Sequence, residues 1–117
     1  MRWTFFADLF NAGSTGVAED ILYINPVNCF LYLPDHEDWG YAIELTDVPA
    51  GWPVATGLPQ SNGRWQARDV QHVMDSPILA ADALTHLQYE SNGIPFHIWI
   101  YGQDQPNPDS FLADHVA

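Results

Sequence analysis

The groups through which this chain could do chemistry are its histidines, carboxylates, lone cysteine and tryptophans, and their spacing decides which could act together. The five histidines, His36, His72, His86, His97 and His115, include no pair at i, i+4, the separation that puts two imidazoles on one helix face. His36-Glu37 opens like the helical H-E-x-x-H zinc motif, but the fifth position is Gly40, and Pro34 and Gly40 argue against a helix. Residues 35–40 therefore read as a solvated hairpin loop rather than a cation site. His86 and His97 differ. If their strands pair about Asn92, the two rings lie close across the strands, where a metal would need a third ligand and only Gln88 or Glu90 is near. Cross-strand polar pairing is the commoner outcome.

Ser76 follows Asp75 but precedes Pro77, with no base placed to activate it, so it reads as part of a corner in which the Asp75 carboxylate accepts backbone N–H groups. Cys29 sits in an apolar run without a flanking cation, which favours a small buried hydrophobe over a nucleophile. As the sole cysteine it allows no intrachain disulfide, and the compartment stays open. The tryptophans, Trp3, Trp39, Trp52, Trp65 and Trp99, would suit a sugar-stacking platform if they shared a face. Their spread over separate strands and turns favours core and interface positions. The chain holds no G-x-S-x-G elbow, phosphate-binding loop, dinucleotide fingerprint or Cys/His cluster. By spacing alone there is no competent active site, and no catalytic, cofactor-binding or metal-ligating residue is assigned.

The elements that position these groups are mostly strands. Residues 84–91 alternate with period two, Ser91-Asn92-Gly93 supplies a turn tolerant of positive φ, and the return strand sets Ile94, Phe96, Ile98 and Ile100 against His97, Trp99 and Tyr101. The rest of the sheet is expected to pack on the isoleucine face. Residues 3–10 read as a strand, 19–24 as a short extended piece, and 28–33 as a central strand buried on both faces. Residues 41–46, 54–56 and 64–67 follow as strands, with turns at 49–53 and 57–63. Residues 69–74 carry Val70, Val73 and Met74 at helical spacing. Residues 103–106 read as a linker, and Asn107-Pro108-Asp109-Ser110 has the order of a helix start. That helix would last some two turns, which implies a natural polypeptide that continues. The expected fold is all-β with one or two short helices, an antiparallel β-sandwich incomplete at one edge, with a domain over residues 1–106 and the start of a helix at 107–117.

The 117 residues suit one domain, and the formal charge of −12 comes from fifteen acids against Arg2, Arg64 and Arg68. Such a surface repels phosphate backbones and anionic headgroups, so neither nucleic acid nor membrane is an expected partner. Neither a signal peptide nor an apolar run near membrane-spanning length is present.

Four segments, in order, resemble the N-terminal β-domain of the glycyl aminopeptidase-like zinc metallopeptidases, often joined to a PDZ domain. They are Tyr23-Ile24-Asn25-Pro26-Val27-Asn28-Cys29-Phe30-Leu31-Tyr32, the run Pro49-Ala50-Gly51-Trp52-Pro53-Val54-Ala55-Thr56-Gly57-Leu58-Pro59, then Val73-Met74-Asp75-Ser76-Pro77, and Gly93-Ile94-Pro95-Phe96-His97-Ile98-Trp99-Ile100-Tyr101-Gly102. The resemblance spans residues 3–116. It implies a catalytic domain beyond this chain that carries the zinc, its H-E-x-x-H helix and the general base, so no cofactor is expected here and none of those roles transfers to a position in this chain. It also implies early strands with no counterpart here, hence an unpaired sheet edge and homodimers or domain-swapped pairs. The expected partner is the parent's catalytic domain, beside which this chain would help to shape the peptide cleft. A rival reading is a free-standing carbohydrate- or peptide-binding module using Trp39, Trp52 and Trp99.

Overall fold

In the computed structural model the described residues are 1–11, 13–102 and 107–115, with His115 described by its backbone alone. The linker read at 103–106 lies outside them. Strand β1 (Gly16–Val17) pairs antiparallel with β2 (Ile21–Ile24), and Asn25 then starts a 3-10 turn at Pro26–Asn28. Its side chain accepts from Val27 N at 3.3 Å, and proline fills the first turn, where its missing donor costs nothing. After a long loop come β3 (Tyr41–Ile43), β4 (Val54–Thr56), β5 (Gln60–Ser61) and β6 (Arg64–Ala67). Helix α1 (Val70–Met74) is capped by Asp69, whose Oδ1 accepts from His72 N at 2.7 Å. Strand β7 (Ile78–Ala81) precedes the long hairpin of β8 (Leu84–Ser91) and β9 (Ile94–Tyr101), and α2 (Pro108–His115) follows.

Three antiparallel sheets result, in the orders β1-β2-β7-β4, β3-β6-β5 and β8-β9. One buried cluster, Ile43, Leu58, Ala67, Val73 and Ile78, joins the first two sheets with α1, and Ile24, Tyr41, Leu45, Val54 and Trp65 pack around it. The fold is all-β and sandwich-like, as expected from the alternation. Strand β7 is its spine. Ile78, Ala80 and Ala81 are fully buried, and β2 and β4 flank the strand on its two edges.

Turn chemistry sets the registers. Asn62-Gly63 between β5 and β6 (φ 53° and 75°) and Asn92-Gly93 between β8 and β9 (φ 53° and 76°) both take the left-handed conformation of a two-residue hairpin turn. In such a hairpin the residues flanking the turn, Ser91 and Ile94, exchange both backbone bonds, so alternate positions face away from the partner strand. Pro95 is one of these, and its missing N–H therefore costs the hairpin nothing.

Three expectations are corrected. Residues 3–10 form no ladder: a single bridge joins Asp8 to Gly16, because the strand they meet, β1, is only two residues long. Residues 28–33 are not the central strand. The Asn25-Pro26 cap turns the chain into the 3-10 segment, and Leu31, Tyr32 and Leu33 emerge with about half their surface exposed. The isoleucine face of β9 is covered only near its base. Leu87 opposite Ile98 is buried, while Ile94 and Phe96, near the tip, stand exposed because the hairpin outruns the sheets.

Candidate docking face

The segment misread as a central strand builds an apolar groove on the surface. Beyond the 3-10 turn, Leu31 O accepts from Tyr41 Oη at 3.0 Å, and the Phe30 and Tyr41 rings stack at 6.5 Å. A turn closed by His36 N donating to Leu33 O (3.1 Å) reverses the chain, with Asp35 at φ 65°. A second, Trp39 N to His36 O (3.1 Å), lays the His36 ring on the Trp39 indole at a centroid distance of 4.1 Å. Glu37 O accepts from Val70 N at 3.0 Å and ties this loop to α1. From the opposite side Trp3 Nε1 donates to Cys29 O at 2.9 Å. The result is a groove of about 440 Å³ lined by Trp3, Leu31, Tyr32, Leu33, His36, Trp39 and Tyr41. Burial pushes the Tyr41 phenol above its ordinary range, with Tyr32 a smaller contributor. Asp35, Glu37 and Asp38 are exposed in the same loop, so an aromatic trough carries an acidic border.

The other groups singled out in the sequence fall elsewhere. His86 and His97 do meet: Nε2 of one lies 2.8 Å from Nδ1 of the other, and the His86 ring stacks on Trp99 at 4.1 Å. They sit diagonally across the hairpin, since the register pairs His86 with Trp99 and Gln88 with His97. Among the described residues no group of three or more His, Cys, Asp or Glu side chains could hold a metal ion. Ser76 is buried with its hydroxyl donating to His72 O at 2.7 Å, a helix-end bond. The Asp75 carboxylate accepts from the Gln71 side chain at 2.9 Å; this differs from the expected bond to backbone, because Gln71 stands one helical turn before it. Burial raises the Cys29 thiol, only partly offset by the Thr15 hydroxyl, and Sγ donates to Asn25 O at 3.3 Å. That describes an unreactive side chain. Trp39, Trp52 and Trp99 line three different grooves and do not form one sugar-stacking platform.

Sequence reasoning missed Leu31–Leu33 as a surface, although Asn25-Pro26 had the order of a helix start. It also missed Tyr101 Oη donating to Asp20 at 2.6 Å across 81 positions, for which no local signal exists.

The family model of the Peptidase M61 N-terminal domain matches residues 1–82. The chain belongs to this family. In fold, this M61 N-terminal domain is similar to a crystal structure of an aminopeptidase N family protein from Idiomarina loihiensis, with a TM-score of 0.84 at 22% identity. The similarity covers 93% of this chain but 20% of that one, so this chain spans about a fifth of the solved protein's length. No curated protein matches.

Proposed function

We propose that this chain is a non-catalytic β-domain of a zinc-dependent aminopeptidase-like metallopeptidase, which packs on the catalytic domain and walls one side of its peptide cleft. Membership of the M61 N-terminal family supports the association. The observation that carries the docking is the groove of Trp3, Leu31, Leu33 and Trp39, an apolar surface of the kind that marks a protein contact. The hydrolytic zinc belongs to the partner domain, and this chain contributes shape and charge. Asp35, Glu37 and Asp38 beside the groove would attract the free amino group of a peptide, through a field strongest at low salt. Residues 1–106 form the domain and α2 leads out of it toward the catalytic unit.

The test has two arms. The purified chain, incubated with zinc and a glycyl reporter peptide, is expected to show no turnover. Turnover that survives repurification and is abolished by a chelator would refute the non-catalytic reading. In the second arm the separately produced catalytic domain of the same polypeptide is titrated with this chain. Saturable binding that Trp39→Ala weakens is expected, and no binding at any concentration removes the docking claim.

A further inference from the structure

A second groove, of about 570 Å³, lies between Val54–Gly57 on one wall and Pro95, Phe96, His97 and Trp99 on the other. Both walls are strand edges. Among the described residues β4 pairs only with β7 and β9 only with β8, and neither outward edge makes a backbone hydrogen bond. On β9 the alternation set by the two-residue turn points the N–H and C=O groups of His97 and Trp99 away from β8. What an unpaired strand edge accepts is another extended chain, through the peptide groups that point away from its own sheet.

The sequence contains such a chain. Residues 3–10 alternate as a strand, yet make only one bridge, and leave Phe5, Phe6, Leu9 and Phe10 between 45% and 85% exposed. In its own copy this segment lies beside β1, through Asp8 and Gly16 and through Val17 N donating to Ala7 O at 3.1 Å, and is anchored at its start by Trp3 Nε1 donating to Cys29 O at 2.9 Å. Strand β1 is the edge of the four-stranded sheet opposite to β4, so the segment stands on the far side of the sheet from its own groove. We propose that the β4–β9 groove receives residues 2–10 of a second copy of this chain, each copy giving and accepting one strand. Reciprocal exchange closes the pair about a two-fold axis. Charge does not oppose this contact. The groove lining has no carboxylate and the incoming segment has one, Asp8, so the −12 charges of the two copies are kept out of the contact. Donating residues 2–10 withdraws Trp3 from the trough and gives up its 2.9 Å bond to Cys29 O, so the exchanged dimer and the trough-docked complex are alternative states of one chain.

The test is sedimentation of the full chain from about 5 to about 500 µM, with amide hydrogen exchange read at His97 and Trp99. A dimer is expected, and added salt should raise its share by screening two like-charged chains. Exchange at both amides should slow by roughly tenfold or more in the dimer. Phe5→Asp combined with Phe6→Asp should abolish the dimer with an unchanged far-UV spectrum. His97→Pro removes one outward donor without touching the hairpin's own bonds and should weaken the dimer. An excess of the synthetic peptide of residues 2–10 should return the chain to monomer while still protecting His97 and Trp99. A chain that stays monomeric at the top concentration in high salt overturns the proposal. So does a dimer in which those two amides exchange freely, or one that survives the double phenylalanine variant.

Discussion

Thr85 Oγ1 is buried without a hydrogen-bond partner among the described residues. A hydroxyl in that position gives up its water and gains nothing. Thr85→Val keeps the shape and is expected to raise stability by about 1 kcal/mol, read as a melting temperature higher by a few degrees. Tyr101 behaves differently with pH. Its hydrogen bond to Asp20, with burial and the nearby Asp20 and Asp82 charges adding smaller effects, raises the phenol above its ordinary range. A folded-state pKa above the unfolded one means stability that is fully present below the unfolded tyrosine pKa and is lost as pH rises through the folded value. Tyr101→Phe should therefore flatten the alkaline end of the stability–pH profile measured by denaturant titration. At this scale the sequence was informative where one turn fixed a distance: Asn92-Gly93 sets the register that brings His86 to His97. It was silent on Tyr101 and Asp20, whose contact depends on how the hairpin base meets the four-stranded sheet.

The hairpin, as an element, rests on that turn. Gly93 at φ 76° becomes strained with any Cβ, so Gly93→Ala should cost about 1–2 kcal/mol of hairpin stability. Because β8 and β9 form a sheet of their own, the loss should show first as faster amide exchange within the hairpin rather than in β7. Helix α1 has five residues and depends on its cap. Asp69→Ala removes the 2.7 Å bond to His72 N and should lower global stability by about 1 kcal/mol, since the helix carries the fully buried Val73. Turns, caps and the alternation of β3, β6, β8 and β9 were legible because each is a local pattern. Residues 3–10 and 28–33 were not. Their composition suits strands as well as β7 does, but a strand also needs a neighbour of matching length, and no window of sequence says which segment obtains one.

At the scale of the molecule, the chain is looser than its length requires. The radius of gyration is 15.8 Å, against about 13 Å for a compact domain of this size. The accessible surface is 8211 Å², against about 6,400 Å² for a monomer of this mass. An excess of about 1,800 Å² is enough for two partner patches of ordinary size. The Trp3–Trp39 trough and the slot between β4 and β9 are two concave parts of that surface. Leu33→Asp, on an exposed residue of the trough, should leave the melting temperature unchanged within a degree or so. It should weaken binding to the catalytic domain by about tenfold or more in a titration. The bond from Tyr101 to Asp20 also bears on the order of folding. Its ends lie 81 positions apart, so closing that loop carries a large entropic cost, while the β8–β9 ribbon needs only its own turn and zips up in microseconds. The phenol–carboxylate contact thus forms late, as a latch, and a kinetic trace of the Tyr101 environment would time the final step of assembly.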